Sequence, residues 1–163
     1  MSYLIKPVGE VRSNVKEPFL SFQGEDLELD ENRVGPHDNL CELVIEEQYT
    51  ELLDGIEDFS HILVLYWSHK ADDNRDVTKV HPAGRKDYPL VGVFATRSPA
   101  RPNPICATVV KLLERNKNTL KVEGLDAIDQ SPIIDIKPYH PSFDAASEVK
   151  IPQWMKELTE YFS

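Results

Sequence analysis

Short strand-like runs recur along the chain and leave little room between them for long helices. They are Val8–Arg12, Cys41–Glu46, His61–Trp67, Leu90–Ala95, Ala107–Leu113, Thr119–Glu123 and Ile133–Ile136. Several alternate apolar and polar residues or are rich in Val and Ile, the pattern of strands buried on at least one face. Asn116-Lys117-Asn118 sits between two of them and reads as a hairpin turn, because Asn tolerates the left-handed backbone such turns need. Helical signal is confined to about one turn at Tyr49–Leu53, stopped near Gly55, and to Gln153–Phe162 after Pro152. The expected fold is mostly β, a closed barrel or sandwich with few short helices and a C-terminal helix. A doubly wound nucleotide fold would need long helices between strands and a GxGxxG turn, and a phosphate loop would need GxxxxGK; the chain has neither. Asp72–Asp87 and the acidic stretch Pro18–Pro36 lack periodicity and read as irregular loops.

The 163 residues suit one domain with a real core, and 40% of them are hydrophobic. No apolar run approaches the ~20 residues of a membrane span. Met1–Gly9 lacks the pattern of a signal peptide. The expected location is therefore the cytoplasm, away from membranes. Cys41 and Cys106 show no metal-type spacing and read as two buried free thiols, a disulfide between them being the alternative. His37, His61, His69, His81 and His140 are scattered, so no metal site is expected.

The net charge of −10 argues against simple phosphate-driven binding of nucleic acid. The charge is unevenly distributed. Residues 1–60 carry 4 basic and 15 acidic residues, residues 69–101 carry 7 and 4, and residues 102–163 carry 7 and 9. The only net-basic stretch of the three holds Lys70, Arg75, Lys79, Arg85, Lys86, Arg97 and Arg101. It reads either as a solvated loop or as a landing strip for an anionic substrate.

Residues 97–104 read Arg-Ser-Pro-Ala-Arg-Pro-Asn-Pro. Three prolines in eight residues exclude a regular helix or an inner strand, since each removes a backbone donor and restricts its predecessor. The segment is a stiff loop. Its two arginines are planar donors suited to carboxylate, phosphate or a nucleobase face. A rigid crossover with two surface salt bridges fits equally. A second polar cluster holds Asp126, Asp129, Gln130, Ser131 and Pro132, then Asp135, Lys137 and Tyr139. Its carboxylates suit ribose hydroxyls or an ammonium. Asp135 and Lys137 share a strand face and also read as a surface salt bridge, and Tyr139 as a base-stacking or a core-rim residue. In the third cluster, Tyr66-Trp67-Ser68-His69-Lys70, His69 is a ligand contact or a structural histidine.

At these clusters the chain closely resembles the TsaA-like family. The matching pieces are Leu53–Trp67 with His69 just beyond, Gly92–Ile105 and Leu125–Tyr139, and the resemblance runs from Pro7-Val8-Gly9 to about Pro141. The resemblance implies one compact β-barrel domain over 1–163, with a core of about 5–141 and a helical tail at 152–162. It also implies a homodimer. It further implies an S-adenosylmethionine-dependent methyltransferase, because the family includes the enzyme acting on N6-threonylcarbamoyladenosine next to the tRNA anticodon. Carried over by motif, cofactor contacts fall on Ser21-Phe22-Gln23 (of which Gln23 matches, one residue out of register), His69, Lys70, Arg97, Ala107, Asp129, Gln130, Ser131 and Pro132. Relatives usually have Gly-Leu where Cys106-Ala107 stand, and often Asp-Gly-Thr-Pro where Asp129-Gln130-Ser131-Pro132 stand.

His69 and Asp135 are the candidates to take the acceptor's proton. Arg101, Asn103, Lys137 and Tyr139, with Lys79, Arg85 and Lys86 of the basic strip, are the candidate substrate contacts, and tRNA is the expected partner. Two other readings stand beside this one: a methyltransferase for a smaller acceptor or another RNA, and a cofactor-binding module without turnover.

Overall fold

The computed structural model describes residues 4–17, 20–23, 26–29 and 39–161. Its strands are β1 (Gly9–Arg12), β2 (Leu20–Gln23), β3 (Asp26–Leu29), β4 (Leu40–Ile45), β5 (His61–Trp67), β6 (Lys79–Val80), β7 (Val91–Gly92), β8 (Ile105–Asn116), β9 (Thr119–Glu123) and β10 (Pro132–Pro138). Six of them close into an antiparallel barrel in the order β1-β10-β5-β8-β9-β4. Period-2 alternation sends Val11, Leu43, Ile45, Ile62, Val64, Val110, Leu120, Val122 and Ile133 into the lumen, each at most 3% exposed. The β-branched residues that mark these runs in the sequence are thus the barrel's filling.

The turn between β8 and β9 is the expected one, with Asn116 opposite Thr119. Its left-handed residue is Lys117 (φ 54°), where an asparagine was expected. Asn118 instead donates its side-chain amide to the Ile45 carbonyl of β4. Arg115 ties this hairpin to the 3-10 turn Glu47–Leu53, donating to the Leu53 carbonyl (2.8 Å) and to Asp54 (3.0 Å). Gly55 ends that segment at φ 83°, a conformation glycine adopts without steric cost.

Three sequence expectations need correction. Leu90–Ala95 is a strand only at Val91–Gly92. Pro89 removes a ladder donor just before it, and Val93–Ala95 turns as a 3-10 segment whose end is held by Thr96, both N–H and hydroxyl donating to the Val93 carbonyl. Asp72–Asp87 is not an irregular loop. It contains the end of the 3-10 turn His69–Asn74 and β6, which pairs with β7. It also contains a bend in which His81 bonds the Tyr88 carbonyl (2.7 Å) and Arg85 stacks over the Tyr88 ring. Tyr88 is buried and meets Trp154 of the C-terminal helix α2 (Gln153–Tyr161). A shorter helix, α1 (Pro141–Asp144), was not anticipated. In the acidic stretch Pro18–Pro36, β2 and β3 pair as a hairpin; residues 18–19, 24–25 and 30–38 lie outside the described residues, as does Phe162.

Candidate functional site

The strand registers bring one set of strand ends together: Arg12, Leu40, Trp67, Ile105, Glu123 and Pro132 all stand at the same end of the barrel. Segments 13–17, 68–74, 96–104 and 124–131 leave from there. That mouth therefore collects His69, Lys70, Arg97, Arg101, Asn103, Asp129, Gln130, Ser131 and Pro132, which are far apart in sequence.

The proline-arginine loop is anchored by two buried residues, Ala100 and Pro104, while Pro99 and Pro102 are exposed. Pro104 is fully enclosed, Ala100 is 6% exposed, and the Pro104 carbonyl accepts the Ser68 N–H at 2.8 Å. Hydroxyls close the rest: Thr96 accepts from the Ser98 N–H (3.2 Å) and Ser98 from the Ala100 N–H (3.3 Å). This anchoring leaves Arg97 exposed while its guanidinium donates to the Ala107 carbonyl on the barrel's outer wall. Arg101 lies over the Phe94 ring, 5.9 Å from its centre. Phe94 itself is 80% exposed, an unusual position for a large aromatic residue.

On the other side of the mouth, Lys16 is the organising residue. Its ammonium donates to Asp129 (2.6 Å) and to the Ser13 carbonyl (3.3 Å), and the Ser13 N–H donates to the other Asp129 oxygen (3.0 Å). These bonds hold the Asp129 carboxyl below its ordinary pKa. Lys70 reaches the same segment, donating to the Lys16 carbonyl and to Glu17, both at 2.6 Å. Gln130 adopts φ 63°, a left-handed conformation that costs a non-glycine residue roughly 1–2 kcal/mol. Glycine would adopt this conformation without that cost. Here the backbone bonds Asp129 N–H to Val15 O (2.7 Å) and Gln130 N–H to Val11 O (2.8 Å) hold it in place.

Two polar atoms at the mouth are buried without a hydrogen-bond partner: His69 Nδ1 and Ser131 Oγ, the latter in a wholly buried residue. A buried polar atom left unsatisfied costs about 1–3 kcal/mol. Such atoms are what a bound polar ligand would satisfy.

A polar trio joins buried Tyr66 to exposed Asp126. β8 pairs with β5 along residues 105–111 but meets β9 only from Lys111 onward. Its first residues are therefore flanked by the 124–131 segment instead of a strand. There Asp126 accepts the Tyr66 hydroxyl (2.8 Å) and the Thr108 hydroxyl (2.7 Å) on a single oxygen. Burial first, and the Asp126 charge second, push the Tyr66 hydroxyl far above its ordinary pKa, so it stays a donor. The Cys106 thiol is also pushed up, by burial and then by Asp126, against the pull of Tyr66, Arg101 and Arg97. Both cysteines are free; Cys41 is buried as expected, whereas Cys106 is only partly so.

Other candidates stand elsewhere. Asp135 and Lys137 pair with each other at 2.5 Å, opposite Leu65 and Leu63 on the outer wall, and no bond joins Asp135 to His69. Tyr139 donates its N–H to the His61 carbonyl at the opposite end of the barrel, about 20 Å along the strand from Pro132. In the basic strip, Lys79 is exposed on β6, and Arg85 is forked onto Asp87 (3.1 and 2.5 Å). Lys86 is exposed in the same bend. Gln23 lies in β2 opposite Asp26. Sequence reasoning missed Lys16, for which no local signal exists. It also passed over Thr108, a hydroxyl in the otherwise apolar inward register of β8.

A cleft of about 500 Å3 opens beside Asp129 and Gln130, bounded by Arg12, Ser13, Asn14 and Cys41. Its volume is in the range of small-molecule sites. His69, Arg97 and Ala107 are not among its lining residues.

Residues 31–145 match the family described as tRNA-methyltransferase O N-terminal domain. An S-adenosyl-L-methionine-binding protein of Archaeoglobus fulgidus is 43% identical over 148 residues, covering 90% of this chain and 96% of that protein. A putative S-adenosylmethionine-dependent methyltransferase, RcsF of Pseudomonas aeruginosa, is 35% identical over 144 residues, covering 88% of this chain and 58% of that protein. The crystal structure of TrmO from Pseudomonas aeruginosa superposes with a TM-score of 0.69 at 28% identity, covering 92% of this chain and 62% of that one. Another TrmO crystal structure gives 0.70 at 29%, covering 93% and 64%. This chain thus spans somewhat under two thirds of the TrmO chains it matches. With the match over residues 31–145 and an archaeal relative 43% identical along 96% of its own length, the chain belongs to the tRNA-methyltransferase O N-terminal domain family.

Proposed function

We propose that the chain is an S-adenosylmethionine-dependent methyltransferase whose cofactor sits at the barrel mouth and whose acceptor is a tRNA nucleoside. The observation that carries the reading is the convergence of Arg97, His69, Lys70 and Asp129–Pro132 on one mouth, together with the two partnerless atoms His69 Nδ1 and Ser131 Oγ. The donor set fits the cofactor, since it offers guanidinium for a carboxylate and carboxylate for an ammonium or hydroxyls. S-adenosylmethionine, when bound, supplies a methyl group already made electrophilic by its sulfonium. The protein's part is then to align the acceptor nitrogen, exclude water and remove a proton. Of the two candidate bases, His69 is favoured, because its Nδ1 is without a partner whereas Asp135 is engaged by Lys137.

The tRNA reading draws support from the family's own description and from exposed Lys79 and Lys86 on β6 and the bend that follows it. Labelled methyl transfer to total tRNA tests it; transfer only to small acceptors, or none, would favour the other two readings. Lys79→Glu with Lys86→Glu should weaken tRNA binding several-fold and flatten its salt slope by about 1–2 units, with cofactor affinity unchanged. Arg85 is left out because reversing it would break its contacts with Asp87 and Tyr88. Equal tRNA affinity in wild type and variant would reduce the strip to a solvated hairpin.

A homodimer is part of the proposal. Leu63 opposite Val109, and Leu65 opposite Ala107, form an apolar band on the outer wall, and Val109 is 42% exposed. Arg97 lies at its edge through the Ala107 carbonyl, so a second copy seated there would close the open side of the site. Light scattering should give twice 18.6 kDa; a single species of one chain's mass at micromolar concentration would refute it.

A further inference from the structure

Asp126 is exposed, yet one of its oxygens is fixed by two hydroxyls, Tyr66 at 2.8 Å and Thr108 at 2.7 Å. No cationic side chain pairs with it among the described residues. The neighbouring acids of the mouth differ: Asp129 is held by Lys16 and Glu17 by Lys70. Neutral donors orient a carboxylate without cancelling its charge, so Asp126 presents a net negative charge in a set direction. Arg97 and Arg101 stand on the 96–104 loop, which leaves the same mouth. The Cys106 thiol beside them feels the Asp126 charge and, less strongly, those of Arg101 and Arg97.

A mouth with both signs of charge matches a ligand that carries both. We infer that Asp126 is the cation subsite of the mouth, facing a positively charged centre of the ligand while Arg97 and Arg101 face its carboxylate. The inference rests on the reading that the ligand is S-adenosylmethionine. That molecule has two cationic centres, its ammonium and its sulfonium, and a carboxylate. Tyr66 and Thr108 are positioning residues: they fix one oxygen of Asp126 and leave the other for the ligand. Together they leave it no lone pair on the bonded oxygen to offer a second ligand group.

Calorimetry with wild type and Asp126→Asn tests this with three probes. S-adenosylmethionine carries both cationic centres and S-adenosylhomocysteine only the ammonium. 5′-Methylthioadenosine carries neither but keeps the ribose and base. The Asn variant retains an acceptor for both hydroxyls, removes the charge and turns the free oxygen into an NH2 donor. It should bind S-adenosylmethionine about tenfold more weakly or worse, and 5′-methylthioadenosine within about twofold of wild type. An equal loss for S-adenosylhomocysteine assigns the ammonium; a loss confined to S-adenosylmethionine assigns the sulfonium. Equal weakening of all three probes would make Asp126 a ribose contact and overturn the inference. So would unchanged binding of S-adenosylmethionine, and so would failure of the variant to fold, which would place Asp126 in the framework. If wild type binds none of the probes, the cofactor reading itself fails, and that outcome is distinct from each of the others.

Discussion

Replacing Arg97 by Ala should weaken S-adenosylmethionine binding about tenfold or more while leaving the melting temperature nearly unchanged. The side chain is exposed, and among the described residues it donates to the Ala107 carbonyl on the outer wall, so the folded state loses little without it. The loop that carries it is fixed independently, by enclosed Pro104 and by the Ser68–Pro104 backbone bond. A charge-assisted bond to a ligand is worth about 1.5–3 kcal/mol, which sets the expected loss. Arg97→Lys should fall between wild type and Ala, because an ammonium keeps the charge but not the planar fork. Equal affinity for wild type and Arg97→Ala by calorimetry would remove Arg97 from the site. A large drop in melting temperature would instead make it a structural staple of β8.

The stiff loop was legible because proline and arginine act locally: three prolines forbid regular structure wherever they fall. The barrel strands were legible for a similar reason, since inward residues such as Ile62, Val64 and Ile133 follow a period that any window of sequence reveals. What escaped depends on which strand lies beside which. Leu90–Ala95 has the composition of a strand, but a long strand needs a neighbour, and only β6 is available for Val91–Gly92. Asp72–Asp87 looked shapeless because its order comes from Arg85, Tyr88 and Trp154 meeting across distant segments. Likewise Lys16 and Asp129 are 113 residues apart, and no spacing rule links them. The Tyr66–Asp126–Thr108 trio arises only because β9 ends before β8 does, a mismatch of strand lengths that sequence does not announce.

Gly9 shows the same limit with a larger energetic consequence. A glycine inside a strand signals a bulge or a close approach, but not which backbone comes near. In the barrel Gly9 is buried in β1, the strand that joins β10 to β4. A Cβ placed there would lie 2.3 Å from the Val44 carbonyl oxygen and 2.9 Å from the Ile45 Cα. Both are backbone atoms, so no side-chain rotation relieves the overlap. β1 would have to move away from β4, and its ladder with β10 at Ile133 would suffer as well. Overpacking costs typically 1–3 kcal/mol, and a backbone clash belongs at the upper end. For a chain of this size each kcal/mol lowers the melting temperature by about 2–4 °C, so Gly9→Ala should melt roughly 6–12 °C below wild type. Gly92→Ala is the control, because nothing lies within 4 Å of a Cβ built there and its φ of −59° suits alanine. That variant should melt within about 2 °C of wild type. The two glycines thus separate steric closure of the barrel from the general effect of stiffening the chain. If Gly9→Ala melts as high as Gly92→Ala, β1 has slack against β4 and the tight closure described for this barrel is wrong.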